Sequence, residues 1–366
     1  MRANLGLAFA LLVCVAVGCG PQARVEKVIL EDDWDRVLKL AQDWQEKDTA
    51  TVMAPWLISE AYRRVGYPQR AEDAESDVTH IGKEDVADLK PLADWTERLS
   101  NRHPESAAVW MLRSSALWHV QRYNEAVAAA DRALRIDPQN AFAYLHRGRA
   151  YHGEKDHERA IHDFDKAIQL NPNLPQAYLW RARAKWDSER EDGHEQAIDD
   201  LELATHVYPL FETAFSERAI CLHACQRYDE ALSDLDRAIA LNPNHSYYYI
   251  LRGDIYEERK DYDRAIREYS KSIELLPIMA SSYVYRGDAY FAKGDYESAI
   301  ADYRRATELY EDSTFAWMGM ARAFEKLART DDAISAWKAA LRTASSKGYK
   351  DDVAEIRRHL RDLGAE

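Results

Sequence analysis

The chain has 366 residues, 46% of them hydrophobic, enough for a continuous core in one large array of repeats or in two ordinary domains. Acidic residues outnumber basic ones by 63 to 49, and the formal net charge is −14. That balance opposes nucleic acid and anionic lipid headgroups, so neither is expected as a partner.

At the N-terminus Arg2 supplies a positive charge, residues 5–17 are almost wholly apolar, and Ala16-Val17-Gly18-Cys19 follows. The apolar run is shorter than the roughly 20 residues a membrane-spanning helix needs, and it fits a secretory signal. A small residue directly before a cysteine resembles the lipobox of bacterial lipoproteins, although that family prefers Leu where Ala16 stands. Cys14 is excluded because bulky Val13 precedes it. The resemblance implies that 1–18 is a lipoprotein signal peptide, and that Cys19 takes a diacylglycerol on its thiol and a further acyl chain, such as palmitate, on its freed amine. Several acyl chains anchor durably, and membrane contact is expected through this N-terminal lipid only. By analogy with enteric bacteria, Gly20 in place of Asp points to the outer membrane, with the protein facing the periplasm.

Residues 19–106 read as irregular helices. One amphipathic helix is expected over 25–46, through Val28, Trp34, Val37, Leu38, Ala41 and Trp44, with further helices over 52–65 and 84–102. The last two look like a degenerate copy of the unit that becomes regular further on, with a turn expanded over 66–82. The first helix would cap the array.

From residue 107 the chain repeats. Ala126, Ala160, Ala197, Ala231, Ala265, Ala299 and Ala333 recur every 34 residues, with one step of 37. The tightest copy is 141–174, where Tyr144, Gly148, Tyr151, Ala160, Phe164, Ala167 and Pro172 occupy positions 4, 8, 11, 20, 24, 27 and 32. Positions 4, 8 and 11 share one face of a first helix (A), and 20, 24 and 27 one face of a second (B). Small residues at 8 and 20 allow close approach, the aromatics fill the remaining space, and Pro at 32 ends helix B. These residues are core.

The pattern resembles the tetratricopeptide repeat (TPR). Seven copies are in register: 107–140, 141–174, 175–211, 212–245, 246–279, 280–313 and 314–347. The aromatic at position 4 is Trp110, Tyr144, Tyr178, Phe215, Tyr249, Tyr283 and Trp317 in turn. The resemblance implies an all-α fold, a right-handed TPR superhelix or α-solenoid, flanked by the irregular unit of 19–106 and a C-terminal capping helix in 348–366. Three extra residues in the third copy lengthen its A–B turn near Asp187 to His194.

Two features are local to this chain. Position 7 is Arg in six copies (Arg113, Arg147, Arg181, Arg218, Arg252, Arg286), and position 23 is acidic in five (Asp163, Asp200, Asp234, Glu268, Asp302). Opposite charges repeated in register predict an ion-pair ladder, for which the planar guanidinium is suited. Cys221 and Cys225 lie four apart on one helix without two further ligands at metal-binding spacing, and read as small packed residues.

In the TPR family a concave groove is lined by helix A near positions 2, 5, 9, 12 and 13. Carried onto this chain, these positions mark Trp118, His119, Phe142, Arg149, His152, Arg183, Trp186, His223, Tyr247, Asp254, Glu257, Asp288 and Phe291 as groove candidates. Basic and histidine side chains precede acidic ones along this series, so a segment with complementary ends would be held in one direction. The Lys and Asn that chaperone-binding TPR proteins carry at positions 5 and 9 are replaced by Met111 and Ser115, or Leu145 and Arg149. No G-x-S-x-G, H-E-x-x-H or phosphate loop occurs, so a non-catalytic scaffold is expected, with no metal and no cofactor. The expected partners are other proteins, such as envelope-assembly, pilus or peptidoglycan-processing factors. The alternative from another class is a binder of cell-wall glycan through the groove aromatics.

Overall fold

The computed structural model describes residues 21–31, 33–47, 53–65, 69–71, 90–188 and 192–365. The signal segment 1–18, Cys19 and most of the 66–82 turn lie outside them. Among the described residues all regular structure is helical, and no helix is long and apolar enough to cross a membrane. The chain divides into two compact units, residues 1–225 and 226–366.

The first unit contains α1 (Pro21–Leu30), α2 (Trp34–Lys47), α3 (Met53–Val65) and α4 (Lys90–Arg102). It continues with α5 (Ala107–His119), α6 (Tyr123–Ile136), α7 (Ala141–Gly153), α8 (His157–Leu170), α9 (Pro175–Asp187), α10 (Gly193–Val207) and α11 (Glu212–Ala224). From α4 onward each helix packs on the next in sequence, so repeats follow one another as A–B pairs. The single helix expected over 25–46 is two. Asp33 starts the second by accepting the Arg36 N–H on its side chain (3.2 Å) and the Val37 N–H on its carbonyl (3.0 Å). α3 packs along α2 and meets α4 edge-on through Trp56 and Trp95 (6.2 Å).

The second unit contains α12 (Tyr228–Leu241), α13 (Ser246–Glu258), α14 (Tyr262–Leu275), α15 (Ala280–Lys293), α16 (Tyr296–Leu309), α17 (Thr314–Lys326), α18 (Thr330–Lys347) and α19 (Lys350–Asp362), again packed consecutively. α19 buries Ile356 and Leu360 against the apolar end of the last pair.

The reason for small residues at position 8 is visible where that residue is glycine. A Cβ on Gly148 would lie 2.6 Å from the Phe164 ring, and one on Gly253 2.5 Å from that of Tyr269. The position-4 aromatics also tie a repeat to the turn before it. The Trp110 and Trp317 indoles donate to the carbonyls of Pro104 and Glu311, and the Tyr249 hydroxyl to that of Pro243, all at 2.9 Å.

The charge ladder forms at Arg147, Arg181, Arg252 and Arg286, and each of these four rungs has a third member. Arg147 grips Asp163 of its own repeat through two bonds (2.7 and 2.8 Å) and reaches Asp131 of the preceding helix B (2.7 Å). Arg181 does the same with Asp200 and Asp165, and Arg252 with Glu268 and Asp236. Arg286 holds Asp302 and the Ser270 hydroxyl. The guanidinium thus joins position 23 of its own repeat to position 25 of the one before.

Candidate functional site

On the first two repeats, the helix A face expected to meet a partner meets α3 instead. The Trp56 indole donates to Ser115 Oγ (3.1 Å), and Ser115 donates to Glu60 (2.5 Å). Arg63 donates to the same Glu60 oxygen (2.7 Å), and His146 Nε2 stands 3.4 Å from its other oxygen. The Arg64 guanidinium covers the Phe142 ring at 4.4 Å, and the Gln69 amide oxygen accepts from Thr213. Glu60, Arg63 and His146 are all buried. Burial alone would raise the Glu60 carboxyl, but Arg63, His146 and Ser115 hold it well below its usual range. Burial pushes His146 down, with Arg149 and Arg63 adding to the effect against the pull of Glu60.

This arrangement corrects the reading of four candidates. Arg149 is 1% exposed and His119 7%, so neither presents a surface. Trp118 donates its indole N–H to the Arg149 carbonyl (3.1 Å) and stands edge-on to Trp180 (5.7 Å). The Arg149 guanidinium lies between those two rings, 4.3 and 4.7 Å from their centres. Phe142 is capped by Arg64. For Phe142 the cause is a segment 78 residues away in sequence, and for Trp118 and Arg149 it is the neighbouring repeats, neither of which helical periodicity could reveal.

Further along, side chains of the second to fourth repeats, mostly from helix A, line an open cavity of about 240 Å³. Three candidates meet there: His152, Arg183 and Trp186, with Ala182, Leu201, Ile220 and Cys221 completing the apolar lining. A salt bridge and a hydrogen bond rim it. Arg183 binds Glu217 through Nη2 (2.5 Å) and Nε (3.0 Å), and His152 Nε2 meets Asp187 at 3.0 Å. His194 stacks on the Trp186 ring at 4.0 Å. Burial pushes the Cys221 thiol up to about 12, so it behaves as an apolar lining group. His223, two residues beyond Cys221 and so on the other side of α11, is outside the lining.

In the second unit the face is open and acidic. Tyr247 is 45% exposed. The Tyr269 hydroxyl donates to Asp254 (2.7 Å) and Glu257 (2.9 Å), and the Tyr303 hydroxyl to Asp288 (2.6 Å). Phe291 is half-buried, edge-on to Tyr296 at 5.3 Å. Burial and the neighbouring Asp288, Asp254 and Glu258 raise the Glu257 carboxyl. Two further groove residues were missed from sequence, Glu217 and Tyr285, both at position 6. The signal was available, because 2, 6, 9 and 13 share one helical face.

TPR sequence profiles match residues 92–141, 141–174, 210–278, 252–314 and 286–349, together more than half of the chain. No curated protein matches in sequence. Solved structures with the same fold include yeast Tom70 (12% identity, TM-score 0.54, covering 94% of this chain and 88% of that one). A second is the C-terminal part of a TPR repeat-containing protein from Cytophaga hutchinsonii (17%, 0.54, 66% and 99%). A third is PilF of Pseudomonas aeruginosa (17%, 0.51, 60% and 99%). With the register of seven units and the consecutive helix pairs, these matches place the chain in the tetratricopeptide repeat family.

Proposed function

We propose that this chain is a protein-interaction scaffold that grips a partner segment on its helix A faces, with the cavity of the second to fourth repeats as anchor pocket. The carrying observation is the concurrence of an apolar cavity, rimmed by the Arg183–Glu217 salt bridge and the His152–Asp187 hydrogen bond, with the positions that line TPR grooves. An apolar side chain would fill it while Arg183, Glu217 and Asp187 orient the flanking backbone. A peptide suits the surface better than a glycan. One face of each tryptophan on which a sugar ring would stack is taken, in Trp118 and Trp180 by Arg149 and in Trp186 by His194.

The setting we propose is the bacterial cell envelope, with the protein exported, acylated at Cys19 and held at the outer membrane facing the periplasm. Partners there would be assembly, pilus or peptidoglycan-processing proteins.

The test is crosslinking in the native cell, then recapture of the identified partner by purified variants. Trp186→Ala should weaken capture at least tenfold, on the order of 2 kcal/mol for a truncated anchor. Unchanged capture by Trp186→Ala, with Trp118→Ala merely unfolding the protein, would refute the pocket.

A further inference from the structure

We propose that the helix A face of the fifth and sixth repeats docks a peptide segment carrying lysine or arginine. This extends the scaffold reading to a second surface, one lying wholly within the second unit.

Two aromatic rings stand exposed there, Tyr247 at 45% and Tyr285 at 38%. They stand on the helix A faces of successive repeats, α13 and α15, and exposed rings beside one another favour a contact surface. They are not isolated. Tyr285 stacks on Tyr269 at 5.9 Å, and both Tyr247 and Tyr285 lie within the field of Asp254, with Tyr285 also in that of Asp288. Between the rings lie carboxylates whose orientation is set from beneath, by the Tyr269 and Tyr303 hydroxyls.

Charge selects the occupant. Asp254, Glu257 and Asp288 repel one another closely enough for Glu257 to register both neighbours. Arg322, whose field reaches Asp288, is itself held by Glu355 at 2.6 Å. Burial of its carboxyl between the helices pushes Asp288 up, although the residue as a whole stays open to solvent. An entering cation relieves that repulsion and gains the tyrosine faces. A guanidinium or ammonium on an aliphatic stem matches both the rings and the carboxylates, whereas an acidic segment would be repelled.

The test uses the full chain and a fluorescein-labelled ten-residue peptide of alternating Lys and Ala, read by anisotropy in 150 mM salt. Binding should fall at least tenfold in Asp254→Asn/Glu257→Gln/Asp288→Asn, which keeps the acceptors for the tyrosine hydroxyls. It should fall about threefold in Tyr285→Ala, a change at an exposed residue that leaves folding intact. A control of equal charge change on exposed acids elsewhere, Glu274→Gln/Glu308→Gln/Asp312→Asn, should alter it less than twofold. The proposal is overturned if the control weakens binding as much as the groove triple, if a Glu-Ala peptide binds equally, or if spermidine competes as well as unlabelled peptide. Trp186→Ala that loses the cellular partner while binding the lysine peptide normally would show the two surfaces to be separate. Failure of the lysine peptide with the pocket result intact sinks only this inference.

Discussion

Arg147 illustrates why a residue type recurs at one position. Its partner Asp163 has a side chain only 2% exposed, while Arg147 itself is 20% exposed. Replacement by Leu, the residue more usual at position 7 in this family, would remove the only strong donor pair and leave a buried carboxylate. The arginine's partial exposure places the cost at the lower end for a broken buried pair, about 2–3 kcal/mol, measurable by urea unfolding. An unchanged midpoint would mean that water already solvates Asp163. The Glu60–His146 pair adds a pH effect. His146 is held below its ordinary value of 6.5, so its protonation favours the unfolded chain. The stability it contributes is present above pH 6.5 and is lost as pH falls below that value. Glu60 is held below 4.5, and its contribution is lost only in more acidic solution. The melting temperature should therefore start to fall below pH 6.5, and His146→Gln should flatten the curve between pH 6.5 and 5. An equally steep curve in the variant would assign the dependence to other groups. The ladder was legible in the sequence as matched charges at 7 and 23. The third members, Asp131, Asp165 and Asp236, were not, because position 25 lies on the preceding repeat and only packing brings it near.

At the level of the element, every A–B turn outside the lengthened third one places position 15 in the left-handed region. Gln121, Lys155, Gln226, Lys260 and Ala328 adopt φ between 56° and 63°, and Gly294 adopts 90°. Five of six are not glycine, so composition hides a turn that geometry makes uniform. A left-handed non-glycine residue costs about 1–2 kcal/mol, partly offset because glycine is more flexible when unfolded. Ala328→Gly should therefore stabilise by about 0.5–1 kcal/mol. The reverse change at Gly294, where an added Cβ meets nothing within 4 Å, should destabilise by a similar amount through the backbone alone. Chemical denaturation of both variants checks this, and shifts of the same sign would contradict it. Helix bounds within the repeats followed from their periodicity. The break at Asp33 did not, since apolar spacing continues across it and only the side-chain cap marks the stop.

For the molecule as a whole, the proposed acyl anchor rests on one residue. Cys19→Ser should move the protein from membranes to the soluble fraction and abolish uptake of labelled fatty acid. A variant that stays in the membrane and still takes up the label would end the lipoprotein reading. The repeat register, the all-helical fold and the close pairing of small and aromatic residues were determined by sequence alone, because they depend on contacts within about 34 residues that recur at a fixed period. The availability of each helix A face was decided only by tertiary structure. α3 returns from outside the regular repeats to cover Ser115, Phe142 and His146, and Arg149 slots between Trp118 and Trp180. The cavity beside Trp186 and the open acidic face at Tyr247 and Tyr285 remain. Periodicity states which way a side chain points from its own helix, and a contact from a distant segment is independent of that period, so burial there had to be seen in three dimensions.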